Sequence, residues 1–262
     1  ICHSALLQAQ ADNTEEGAPQ PIVLGETITL HSNILNEDRP LNIFVPQSYD
    51  RSDTARFPVI YLLDGSVDED FIHIVGLIQY NALDWVDRIP ESIVVGIGTV
   101  DRRRDFTSPT EVETEKNAFP TAGNCHRFIS FIEKELEPFI DRKFRTNGHR
   151  TIIGQSMGGL VATEILLRHP RLFDTYIIVS PSLWWNNGSL LESDVGFAAK
   201  SLPQSTYVYI GVGKEGLAPS ANPRVMEVDA NVLAEKLKKA GGDSLKVIFD
   251  YLPEENHATI MH

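Results

Sequence analysis

Residues 152–166 read IIGQSMGGLVATEIL. The run opens as a short apolar strand and closes with apolar residues at helical spacing. Between the two stands one hydroxyl, Ser156, flanked by Gly154, Gly158 and Gly159. Gly154-Gln155-Ser156-Met157-Gly158 is a G-x-S-x-G sequence at a strand-to-helix corner. Such a corner holds the serine strained and exposed above a sheet. Glycines without Cβ let neighbouring backbone close on it. The following helix begins with free N–H groups and a partial positive charge, suited to a developing oxyanion. The pattern predicts a strand ending at Gln155 and a helix from about Met157 to His169, stopped by Pro170.

Working outward, strand-like and helix-like stretches alternate. PVIYLLD (58–64) and SIVVGIG (92–98) are continuous apolar runs, and TYIIVS (175–180), TYVYIGV (206–212) and LKVIFDYL (245–252) read as further strands. Helical patterns cover 71–86, 125–140 and 225–240, the last closed by Gly241 and Gly242. Residues 99–118 read as a long polar loop. Apolar strands alternating with helices imply an α/β domain whose mostly parallel sheet carries helices on both faces. ETITLHS (26–32) and LNIFVP (41–46), joined by a short polar turn, predict an antiparallel N-terminal edge. Residues 1–21 read as a flexible lead-in and 22–262 as one domain, with the closing segment of the fold expected beyond His262. Ligands in such sheets bind beyond the carboxyl ends of the strands.

That rule ranks the candidates. A serine hydroxyl is a weak nucleophile until a base takes its proton, and on such a corner the order is Ser, then Asp or Glu, then His. After His169 only His257 and the terminal His262 remain. His257 follows strand 245–252, on the right rim, and is the candidate base; His149 and His169 read as surface histidines on the opposite side. Glu215, after strand 206–212, is the candidate acid. Asp229, Glu192 and Asp194 compete with it, and a Ser–His dyad without a dedicated carboxylate stays open. The Met157 N–H is one expected oxyanion donor, and the Ser66 N–H, in the turn after strand 58–64, the other. Arg102, Arg103 and Arg104 follow strand 92–98 and form a cationic spot suited to a carboxylate or catecholate substrate; solvated arginines paired with nearby acids are the plainer reading. Trp184 and Trp185 follow strand 175–180, and at least one is expected to wall an acyl or aromatic pocket.

From Gly25 to His257 the chain resembles the esterase branch of the α/β-hydrolase superfamily. YLLDGS, GQSMGG, SPSLWW (180–185) and EENH (254–257) carry the resemblance. The branch includes siderophore trilactone esterases, feruloyl esterases, the S-formylglutathione hydrolase type and mycolyltransferases. DRRRDFTSP (101–109) is similar to a segment of the siderophore esterases in which arginine meets an anionic substrate. The resemblance implies an α/β-hydrolase fold and cleavage of carboxylic esters through an acyl-enzyme. Some siderophore esterases work with a Ser–His dyad, which leaves the place of Glu215 open.

Composition narrows the alternatives. With 262 residues, 42% hydrophobic and 23% charged, the chain can bury a sizeable core. A formal net charge of −13 disfavours nucleic acid and anionic membranes as partners; the small-molecule ester is what the serine corner and the resemblance imply. Neither a metal constellation nor a nucleotide-binding glycine loop appears, so no cofactor is implied. The two cysteines, Cys2 and Cys125, form no metal or redox motif. Ala9-Gln10-Ala11 fits a small-x-small cleavage site after an apolar segment, the mark of a periplasmic or secreted protein; a cytoplasmic one is the alternative. The competing functions are a general short-chain carboxylesterase, an acyltransferase of the same fold and a non-catalytic binding domain.

Overall fold

The computed structural model describes residues 18–195 and 206–261. The leader read at Ala9-Gln10-Ala11 lies outside these residues, as do Cys2 and His262. One eight-stranded sheet has the order β1-β2-β4-β3-β5-β6-β7-β8. The strands are β1 (Glu26–Ser32), β2 (Glu37–Phe44), β3 (Phe57–Leu62), β4 (Ile93–Ile97), β5 (Thr146–Gln155), β6 (Thr175–Val179), β7 (Thr206–Gly213) and β8 (Leu245–Leu252). β1 and β2 run antiparallel to each other and β2 runs antiparallel to β4, forming the expected edge. Every other pairing is parallel.

Side chains alternate across the central strands, so each apolar run feeds two cores. Val59, Tyr61, Ile152, Ile178 and Ile210 enter the larger core. Ile60, Leu62, Val94 and Ile153 enter the smaller one, where Phe71, Ile74 and Val75 of helix α1 (Phe71–Asn81) cover them. The helix after the serine is buried at nearly every position, as a helix wedged between sheet and neighbouring helices must be.

The stretch expected as a loop at 99–118 contains two short helices, α2 (Arg102–Phe106) and α3 (Glu113–Ala118). Asp101 caps α2 by accepting from Arg104 N at 3.1 Å, and Phe106 anchors it at 3% exposure. Five charged-rich residues carry too little apolar periodicity to register as a helix. α1 ends at Asn81 rather than Val86, and the chain beyond it turns through Asp87 at φ +45°.

The helical segment from Cys125 runs on to Lys143 as α4 (Cys125–Phe131), a π turn (Ile132–Leu136) and α5 (Glu137–Lys143). Pro138 sits in the first turn of α5. Its missing N–H cannot continue an α-helical ladder, and a wider turn just before it absorbs the break. Among the described residues the remaining α-helices are α6 (Met157–Arg168), the short α7 (Trp185–Gly188) and α8 (Met226–Gly241).

Candidate active site

Ser156 joins β5 to α6 with φ +59° and ψ −117°, a conformation L-residues adopt only under constraint. Its N–H donates to Val179 O at 3.0 Å, and Ser182 N donates back to Ser156 O at 2.9 Å. The glycines are there because backbone fills their side-chain space. A Cβ on Gly154 would lie 2.5 Å from the carbonyl of Gly158, and one on Gly159 would lie 3.0 Å from Val179 O. Crowding on both sides presses β5, β6 and the head of α6 together and leaves the hydroxyl pointing outward. Met157 is the first residue of α6, where N–H groups have no acceptor within the helix.

The other half of the site comes from the ends of β7 and β8. Lys214 N donates to Glu255 O at 2.8 Å, and a Cβ on Gly213 would lie 2.6 Å from that same oxygen. This close approach carries the loop after β8 across to the serine. Gln155 Nε2 donates to His257 O at 2.5 Å and pins the histidine backbone. His257 Nε2 then lies 3.0 Å from Ser156 Oγ, and His257 Nδ1 lies 2.7 Å from Glu215 Oε2. Opposite a carboxylate, Nδ1 carries the proton and Nε2 is left as an acceptor facing the hydroxyl. The Glu215 side chain is 2% exposed and the imidazole 45%, so a buried anion orients a ring that opens to solvent.

Two hydroxyls not foreseen from sequence complete this set. Ser180 Oγ donates to Glu215 Oε1, and Ser182 Oγ is 3.3 Å from Ser156 Oγ. Both lie just beyond β6, the rim the strand rule ranks highly, but serines in a turn are too common to single out. Among the competing acids, Asp229 is held by Arg224 at 2.7 and 2.9 Å. Glu215 already occupies the Nδ1 side, so Glu192 and Asp194 are not the carboxylate there.

The expected oxyanion and substrate residues fare unevenly. The Ser66 N–H donates to Glu69 Oε2 at 3.2 Å, so it is turned into its own loop rather than held open for an oxyanion. Glu69 is three residues on and caps the turn that leads to α1, a local competition that sequence position alone does not expose. The three arginines separate. Arg102 makes a two-pronged ion pair with Asp64 at 2.7 and 2.8 Å. Arg104 is forked onto Glu37 at 2.8 and 2.7 Å and also bonded to Asp105, whose buried carboxylate is shared with Arg39. Neither is a loose cation: in place of the expected substrate-binding cluster, both follow the plainer reading of arginines paired with acids. Arg103 is exposed and has no carboxylate partner among the described residues. Its guanidinium lies 4.8 Å over the Phe119 ring, and it lines an open cleft with Val100, Asp101, Arg102 and Met157.

The tryptophans correct the expectation of a pocket wall. Trp184 is 4% and Trp185 1% exposed, and both belong to the large core. Trp185 Nε1 donates to Ser108 O at 2.8 Å, and the two rings meet edge-on at 6.0 Å. Asn186 and Asn187, both in left-handed conformation at φ +49° and +56°, turn the chain back so that neither ring is left outside. Trp185 packs behind Phe119, on which Arg103 rests.

The family described as "Putative esterase" matches residues 32–250. The ferri-bacillibactin esterase BesA of Bacillus subtilis is 28% identical over 263 residues, covering 95% of this chain and 90% of BesA. An IroE-like serine hydrolase from Shewanella oneidensis superposes with a TM-score of 0.80 at 32% identity, covering 91% of this chain and 76% of that one. The BES protein from Bacillus cereus gives 0.79 at 30% identity, with 95% of both chains covered. The chain therefore belongs to this esterase family, with an α/β-hydrolase fold and the activity of an ester hydrolase.

Proposed function

We propose that the protein is a serine esterase acting through an acyl-enzyme, and that its substrates are siderophore esters. The observation that carries the mechanism is the unbroken chain Glu215–His257–Ser156, with contacts of 2.7 and 3.0 Å. As the Ser156 oxygen attacks the ester carbonyl, His257 Nε2 accepts its proton, and the buried Glu215 stabilises the resulting imidazolium. The carbonyl oxygen becomes an oxyanion beside the Met157 N–H at the head of α6. A second donor from the 64–66 turn requires Ser66 N to exchange Glu69 for the oxyanion. His257 then returns the proton to the departing alcohol, and water repeats the sequence to release the acid.

The substrate class rests on chemistry and on kin. BesA is named a ferri-bacillibactin esterase, and a relative from Aspergillus fumigatus, 27% identical over 197 residues, is named a siderophore triacetylfusarinine C esterase. Arg103, without a carboxylate partner among the described residues and lining one cleft with Met157 on a chain of net charge −13, suits a catecholate or carboxylate approaching the serine. Export to the periplasm or medium, read from Ala9-Gln10-Ala11, belongs to the same proposal. The test is pre-steady-state hydrolysis of p-nitrophenyl acetate, followed by turnover of a catechol trilactone. A burst of nitrophenol that disappears in Ser156→Ala supports the acyl-enzyme. A burst that survives that substitution overturns it.

A further inference from the structure

The turn after β3 carries four carboxylates between residues 64 and 70: Asp64, Asp68, Glu69 and Asp70. The first of them lies beside the head of α6. Asp64 has φ +53°, and its Oδ2 is 3.4 Å from where a Cβ on Gly158 would stand, in the first turn of α6. An anion there competes for the positive end of the helix that the oxyanion needs. The carboxylate is not left free. Arg102 Nε and Nη2 take its two oxygens at 2.7 and 2.8 Å, while Thr99 Oγ1 donates to Oδ1 at 3.4 Å. The same Nη2 donates to Gln155 O, the carbonyl just before the serine, at 3.3 Å. One planar guanidinium, stacked 5.6 Å over Phe106, thus touches both the oxyanion-side turn and the nucleophile corner. A fork of this kind fixes orientation as well as charge.

From this we infer that Arg102 is a positioning residue: it holds the Asp64 turn against the Ser156 corner and neutralises Asp64 beside the oxyanion, without touching substrate. The inference rests on the serine mechanism above. Arg102 acts only through Asp64 and Gln155, so the two charges must be coupled. Without Arg102, Asp64 becomes an uncompensated anion beside the developing oxyanion. Without Asp64 as well, that repulsion is gone.

The test is a double-mutant cycle on p-nitrophenyl acetate, a neutral ester with no anionic group for an arginine to bind. Arg102→Met is expected to lower kcat ~10–100-fold with KM changed less than ~3-fold, as misplacement or repulsion at the transition state would. Asp64→Asn costs less, and the double variant Asp64→Asn/Arg102→Met recovers at least several-fold over Arg102→Met. Should Arg102→Met fail to fold by thermal melt, Arg102→Lys carries the reading, keeping the charge but not the fork, with kcat expected ~10-fold down at constant KM. An unchanged kcat overturns the inference. So does a rise in KM alone, or strict additivity of the two single substitutions. The parent reading fails separately: if Ser156→Ala keeps its burst, the serine mechanism falls, whereas a dead Ser156→Ala beside a fully active Arg102→Met sinks this inference alone.

Discussion

Replacing Glu215 by Gln isolates the charge of the acid from its shape. In the native arrangement Ser180 Oγ donates to one carboxylate oxygen and His257 Nδ1 contacts the other at 2.7 Å. A glutamine fits that slot by turning its NH₂ toward Ser180, whose hydroxyl can accept. Its oxygen then still faces Nδ1, and the imidazole keeps its tautomer. What disappears is attraction between a carboxylate and the imidazolium formed during attack. At an effective dielectric constant of ~20 and a charge separation of ~4 Å this is about 4 kcal/mol. The ring is 45% exposed, and solvent screening brings the figure down to ~2–3 kcal/mol. The expected loss in kcat/KM is therefore ~30–150-fold, with little change in Tm. Removing Ser180 as well, in Ser180→Ala/Glu215→Gln, frees the amide to flip its NH₂ toward Nδ1. The wrong tautomer then deepens the loss by a further ~10-fold or more. Steady-state hydrolysis of p-nitrophenyl acetate by the purified variants measures both. A Glu215→Gln enzyme within threefold of wild type would refute the reasoning and leave a Ser–His dyad.

Arg103→Ala is expected to raise KM for a catecholate ester ~10-fold more than for p-nitrophenyl acetate, since a lost charge-assisted contact is worth about 1.5 kcal/mol or more; equal shifts for both substrates contradict its role. Gly154→Ala, which drives a Cβ to 2.5 Å from the Gly158 carbonyl, should lower stability by ~2 kcal/mol or more and reduce activity with it, as a melting curve and an ester assay would show. Glu137 lies far from the serine. Burial pushes its carboxyl up to about 8, with Arg150 only partly opposing. The folded chain then holds a proton there that the unfolded chain has lost above about pH 4.5. Stability contributed by this group falls as pH rises from ~4.5 to ~8 and levels off beyond, by at most a few kcal/mol. Denaturant titrations should show that slope flattened in Glu137→Gln, and an unaltered slope counts against it.

The middle of the sheet was legible because β3 and β4 are apolar on both faces and the helices repeat at the right period. β3, β4, β6 and β7 fall where runs rich in Val, Ile, Leu and Tyr put them, and the more exposed β8 falls on LKVIFDYL, where Lys246 and Asp250 interrupt the apolar residues. The serine and histidine could be found because chain order and the carboxyl-end rule leave few options, with only His257 and His262 beyond His169. What escaped was pairing. The chain has 36 acidic side chains, and nothing local says that Arg104 will take Glu37, 67 residues away, or Arg102 take Asp64. The resting partner of Ser66 was hidden for the same reason on a smaller scale, since its N–H finds Glu69 within the loop. The tryptophans were misjudged because two left-handed asparagines reverse the chain immediately after them, and a conformation of that kind is not written in hydropathy. α2 was missed because a five-residue helix is specified by its Asp101 cap and one buried phenylalanine rather than by a repeating pattern.

Everything in the proposed mechanism depends on Ser156 being a nucleophile made reactive by His257. Mass spectrometry of peptides from protein treated with a fluorophosphonate tests it most directly. One phosphonyl adduct is expected, on the peptide carrying Ser156, formed rapidly in the wild type and slowed by at least ~10³-fold in His257→Ala. An adduct on a different serine, or labelling of Ser156 at the same rate without the imidazole, would contradict it.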